Sequence, residues 1–309
     1  MSTPHPLGAT RPARGPIAWL GRTAIGFVSY AGGLGVLVVD ALRAAVRLGP
    51  LSKPMRGAVT DELSWLFALG LPLVGLVHVG MGGFLAMQAY YGGTFLDGTG
   101  AVVGVGLFRN VAPQLACLVL TGLLCARVTP EFRSYRRDLL AAGPDGPPRP
   151  GFLERSAQGR RAGRNEAGPT FGPEGFVAAR LAAAAITGPV LSLWGGIVGT
   201  VVGWRVARSL MGVTTHGFFL MFWEMLWARD FVGLVVKGSL FGLAAAIPAC
   251  YEGLRPSDDL NEPGGDTAAA GRAACLAVAG ILFVNSTWFV LAYHAGPAFG
   301  PTLLTPPNS

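Results

Sequence analysis

The chain has 309 residues, of which 51% are hydrophobic and 13% charged, with 46 glycines and a mean hydropathy of +0.48. A soluble globular domain carries about 25% charged residues, so the composition excludes an ordinary soluble fold and makes a bilayer the solvent. The formal net charge of +7 falls between apolar stretches without interleaved aromatics, which excludes nucleic-acid binding and reads as positive charge on cytoplasmic loops.

In chain order, the first apolar stretch, Ile17 to Val39, holds Arg22 and runs into Asp40, Arg43 and Arg47. A leader peptide, a span and an interfacial helix are all compatible with it. The interfacial amphipathic helix is preferred, with Trp19 and Tyr30 near headgroup level. A span would place Arg11 and Arg14 opposite Arg43, Arg47, Lys53 and Arg56. Five further stretches have the roughly 20 mainly apolar residues that a crossing needs. They run from Leu63 to Gly93, Gly98 to Ala126 (containing Arg109), Gly175 to Trp204 (Arg180), Phe231 to Tyr251 (Lys237) and Ala273 to about Gly296.

Sixteen of the 24 Lys and Arg residues lie either before the first of these five spans or between the second and third. Both segments therefore face one side, which the positive-inside rule makes the cytoplasm. Arg205, Arg208 and Arg229 on the opposite side weaken that bias without reversing it. The predicted fold is all-α: a polytopic membrane protein with five transmembrane helices and an N-terminal interfacial helix. Residues 1–60 form the cytoplasmic N-terminus. Residues 61–296 form one membrane domain, interrupted by a Gly/Pro/Arg-rich cytoplasmic loop at about 144–170 that is too polar to fold alone. Residues 297–309 are expected to form a tail on the side of the membrane opposite the cytoplasm.

Few residues point to chemistry. The four cysteines form no CxxC, and the four histidines show no metal spacing, so no cofactor or metal is expected. A nucleophile elbow is absent, and so is a GxxxxGK[ST] loop; ATP hydrolysis is expected in a separate chain, and this one is not expected to be an enzyme. Asp97, Glu224, Asp230 and Glu252 fall at or outside span ends, which argues against proton coupling. Arg109 and Lys237 are the costly residues, because a cation at mid-membrane costs about 2.5–3.5 kcal/mol on insertion scales. Each either faces a cavity or partner or snorkels to the interface. Gln88 and Asn110 are amides in apolar surroundings that would bridge helices or meet a ligand. Gly195, Gly199 and Gly203 share one helix face, as do Gly238 and Gly242, and such faces serve packing within a subunit or between subunits.

Several segments together resemble the MlaE (YrbE) permeases, membrane subunits of Mce-associated lipid ABC transporters. They are Gly82 to Tyr91, Phe108 to Leu115, Arg180, Asp230 to Gly242 followed by Cys250-Tyr251-Glu252-Gly253, and Arg272. The resemblance implies a homodimer or pseudo-dimer of five-span subunits with an N-terminal interfacial helix. It also implies an apolar lipid pocket, an Mce-domain partner on the periplasmic side and ABC ATPase subunits on the other. Arg109, Asn110 and Lys237, with Gln88, Tyr90 and Tyr91, would contribute to the pocket. Asn110 stands where the family has a glutamate, so no Arg–Glu pair forms there. The segment Pro130 to Gly143, with Glu131, Arg136, Arg137 and Asp138, would form the ATPase coupling element, but it departs from the family pattern. A degenerate, non-transporting homologue acting as scaffold or heterodimer partner is the alternative reading. A lipid-acting membrane enzyme finds no nucleophile, metal or carboxylate pair to support it.

Overall fold

The computed structural model describes residues 16–49, 52–92, 100–142, 173–226, 228–256 and 258–294. The expected loop at 144–170 and the tail from 297 lie outside the described residues. Among the described residues seven α-helices follow one another: α1 Pro16–Leu48, α2 Lys53–Tyr91, α3 Ala112–Ala142, α4 Pro173–Met211, α5 Thr215–Met225, α6 Ala228–Leu254 and α7 Gly265–His294. Two stretches before α3, Gly100–Val105 and Leu107–Val111, are wound as π-helix. No strand occurs among the described residues.

Helices are the expected solution in lipid, because each satisfies its own backbone hydrogen bonds. Six of them are long and apolar enough to cross a membrane, one more than the sequence predicted. The sixth is α1. It touches the bundle through Tyr30, whose hydroxyl donates to Glu252 at 2.9 Å, and through Gly33, against the Tyr251 ring. Further along, Ala41, with Leu37 and Ala45, joins the core cluster that includes Met55, Phe132 and Val177. These contacts lie at the end of the bundle where α2 and α4 begin and α3 and α6 finish, here called the basic end. The outer flank of α1, with Ile25, Phe27, Val28, Leu42 and Val46, is exposed apolar surface.

The expected third span begins at Pro173 as α4, and the expected second span runs on as one helix through Pro130 to Ala142. The segment from Pro130 to Ala142, most of the expected coupling element, is therefore the last part of α3. Helix α5 caps the opposite, far end. Thr214 is its N-cap, accepting from the Gly217 amide at 3.1 Å.

Close helix contact explains the glycine rows. A Cβ on Gly82 of α2 would collide with the Gly199 carbonyl of α4. One on Gly195 would enter the His78 ring, and one on Gly203 would meet Val103. The α4–α6 seam is built alike, with Gly188 on the Gly238 backbone and Gly242 on Ala184. All five glycines singled out in the sequence thus pack helices of the same chain. Small residues allow this approach where lipid supplies no hydrophobic drive between helices. Gly82→Ala and Gly242→Ala should each destabilise the purified protein by about 1–3 kcal/mol through overpacking. Gly83→Ala, whose added Cβ meets nothing within 4 Å, should be neutral or slightly stabilising. Thermal unfolding in detergent reads all three, and equal effects at Gly82 and Gly83 would contradict the packing assignment.

Candidate functional site

The intramembrane cations predicted from the sequence meet in one cluster at the far end. Arg109 lies in the π-wound segment just ahead of α3. Its guanidinium forks onto the Asp230 carboxylate, with Nε to Oδ1 at 2.8 Å and Nη2 to Oδ2 at 3.0 Å. The same Nη2 donates to the Met225 carbonyl at 2.9 Å. Met225 ends α5, and Asp230 lies in the first turn of α6, where a helix N-terminus favours a carboxylate. A bidentate pair of this kind fixes orientation as well as charge. One arginine therefore ties three elements together.

Lys237 lies seven residues further along α6 and is 3% exposed. Its ammonium donates to the Arg109 carbonyl and, at 3.2 Å, to Asn110 Oδ1. Arg109, Asp230 and Lys237 together carry one net positive charge. Only Arg109 reaches outward, its side chain 38% exposed. Phe108 packs edge-on against Phe222 and Phe231 beneath it, at 5.8 and 6.2 Å between ring centres. Such a place offers an anion one fixed guanidinium against an apolar, aromatic wall. Gln88, Tyr90 and Tyr91 occupy the last turn of α2 at the same end, all exposed, the two tyrosines in edge contact at 5.1 Å. They present themselves to whatever covers α2.

The basic end holds the residues assigned to coupling. Glu131 is buried between Arg127, at 3.1 Å, and Arg180, and Arg127 also approaches Glu62 at 3.8 Å. Arg127 stacks on Trp65 and Arg180 on Phe132, at 4.2 and 4.5 Å from the ring centres. One turn beyond Glu131, Arg133 and Arg137 share Asp266 at the start of α7, at 2.7 and 2.8 Å. Arg136 donates to the Arg255 carbonyl, and Arg137 to that of Leu260 at 3.3 Å. Asp138 is half-buried beside them. The end of α3 is thus bound to the α6–α7 turn. Nearby, Glu252, 1% exposed, receives Tyr30, Arg255 and Arg272. Among the described residues no three His, Cys, Asp or Glu side chains are grouped to hold a metal.

Sequence reasoning found both cations but placed Asp230 outside the membrane chemistry. It did not find the Glu62–Arg127–Glu131–Arg180 group or the Asp266 clamp. One signal was available, since each buried acid needs a cation and four arginines fall between Arg127 and Arg137. Which acid each arginine chooses is decided by helices far apart in the chain.

Residues 174–288 match the model of the family described as Permease MlaE. The chain is also similar to a "Probable ABC transporter permease protein" of Rickettsia prowazekii, 24% identical over 202 residues, covering 63% of this chain and 68% of the relative. The corresponding protein of Rickettsia typhi is 23% identical over 235 residues, 73% and 80% of the two chains, and that of Rickettsia felis 24% over 241 residues, 76% and 82%. The family match begins with α4 and takes in Asp230, Lys237 and most of α7, the half of the bundle that carries the acid and the lysine of the far-end cluster. With its polytopic helical fold, the chain is thus similar to ABC transporter permeases, and over residues 174–288 to the MlaE permeases in particular.

Proposed function

We propose that this permease moves phospholipids or related lipids between the bacterial inner membrane and the rest of the envelope. The observation that carries the reading is the outward-reaching Arg109 guanidinium. It is held by Asp230 and Met225 over an aromatic floor at one end of a membrane bundle. In a low-dielectric setting a fixed, weakly hydrated guanidinium favours a phosphate headgroup, and the neighbouring apolar faces favour acyl chains. Gln88, Tyr90 and Tyr91 form the outer lining and Asn110 and Lys237 the wall behind Arg109.

An ABC transporter permease works with an ATPase partner. In this reading a second permease copy completes the lipid pocket, and an Mce-domain protein receives or delivers lipid at the periplasmic side. The basic end faces the cytoplasm, with the N-terminus, and the C-terminus lies in the periplasm. Glu131, Arg136, Arg137 and Asp138 shape the α3 end for the ATPase from within, by fixing it to the α6–α7 turn. A second reading has support from the same residues. Because Arg136 and Arg137 engage Arg255, Leu260 and Asp266 of their own chain, a non-transporting homologue that scaffolds an Mce assembly also fits.

Arg109→Glu and Lys237→Glu should each lower the lipid retained per folded protein by roughly tenfold, equivalent to about 1.4 kcal/mol of binding. Mass spectrometry of monodisperse, detergent-purified protein reads this, and wild-type lipid content in both variants would remove Arg109 and Lys237 from the pocket. The double variant Arg136→Glu with Arg137→Glu should release α3 from Asp266 and abolish ATPase co-purification. Undiminished ATPase recovery would show that docking does not use the α3 end.

A further inference from the structure

Helices α3 and α4 each meet a proline where a neighbouring helix presses on them. Proline has no N–H, so in a helical ladder the carbonyl four residues earlier loses its donor. Pro113 stands where the π-winding through Arg109 gives way to α3, so its missing N–H falls to the carbonyls four and five residues earlier, those of Arg109 and Phe108; Pro189, inside α4, stands four after Ala185. In lipid such a carbonyl has little access to water, and a side chain of a neighbouring helix is one group that can supply the donor.

Both donors come from one short stretch of α6. The Lys237 ammonium donates to the Arg109 carbonyl, and the Ser239 hydroxyl donates to the Ala185 carbonyl at 2.9 Å. Residues two apart on a helix point to opposite sides. Helix α6 runs between α3 and α4, so Lys237 and Ser239 each face a different one. The bare backbones of Gly238 and Gly188 bring α6 against α4 at this level.

We infer that Lys237 and Ser239 are positioning residues, each supplying the backbone hydrogen bond that a proline removes from the facing helix. Lys237 then sets the course of the chain through Arg109, Asn110 and Pro113, and with it the direction in which the Arg109 guanidinium leaves the backbone. Its ammonium is spent on a carbonyl and an amide oxygen, so it acts behind the headgroup position. Ser239 does the same for the bend of α4 at Pro189. The inference stands on the placement of these four residues and is independent of what the permease carries.

The test is a pair of mutant cycles on the full-length protein in detergent, read by thermal unfolding. Lys237→Met keeps length and burial but removes the donor, and should lower the midpoint by about 3–8 °C. Adding Pro113→Ala restores an N–H to the ladder and should recover at least half of that loss. Ser239→Ala should likewise be recovered by Pro189→Ala. The crossed combinations, Lys237→Met with Pro189→Ala and Ser239→Ala with Pro113→Ala, should show no recovery. Recovery confined to the matched pairs supports the inference, and its absence, or equal recovery in crossed pairs, overturns it. If Lys237→Met yields no folded protein, the yield of folded double variant reads the same comparison. Lipid content of the rescued Lys237→Met/Pro113→Ala protein separates this role from headgroup binding. Lipid content is expected to rise with the recovered midpoint above that of Lys237→Met alone, whereas a restored fold with lipid still at the single-variant level would make Lys237 a direct lipid ligand.

Discussion

The constraint behind the whole structure is that the bilayer gives no hydrogen bonds to the chain. Every backbone group and charge within the spans must find a partner inside the protein. This explains why the elements are helices, why glycines line their seams, and why each buried cation described above has a specific acceptor. Arg109 has Asp230 and Met225, Arg180 has Glu131, and Glu252 takes two arginines and a tyrosine. Some of these bonds, Arg109 to Asp230 and Tyr30 to Glu252 among them, join residues more than a hundred positions apart in sequence, so the polar contacts, as much as the apolar packing, specify which helix meets which.

The two ends solve the problem differently. At the basic end acids are shared between arginines in closed groups, with Arg133 and Arg137 on Asp266 and Glu131 between Arg127 and Arg180. Such groups resist separation, because removing one partner leaves an uncompensated buried charge. The Asp266 group helps bind the α3 end to the α6–α7 turn. At the far end Asp230 holds Arg109, whose partly exposed guanidinium faces outward. π-winding next to a proline is a local irregularity of the kind that collects at functional positions.

Much of this was legible in the sequence. Apolar runs of about 20 residues gave the spans of α2, α3, α4, α6 and α7, and the isolated positions of Arg109 and Lys237 marked them as costly. The spacing from Asp230 through Lys237 to Cys250-Tyr251 carried the resemblance to the MlaE permeases, and the family match covers the same stretch. Helix α1 was harder, since its apolarity equals that of a span while its partners Tyr251 and Glu252 lie at one end of the bundle. The pairing of Arg109 with Asp230 was hidden because Asp230 follows the short helix α5, after which the first turn of α6 meets the chain at Arg109, just ahead of α3. Likeness drew attention to Glu131, Arg136, Arg137 and Asp138, but the partners of the arginines, Asp266 and the Arg255 and Leu260 carbonyls, lie beyond the reach of a local pattern.

In the proposed function, a permease with a fixed outward cation carries a lipid under the drive of a separate ATPase. The direct measurement is purification from the native host in mild detergent, with mass spectrometry of co-eluting proteins and lipids together. The account predicts an ABC ATPase and a near-stoichiometric anionic lipid, accompanied by an Mce-domain protein. A well-folded permease recovered repeatedly without ATPase or bound lipid would contradict it and leave the scaffold reading in its place.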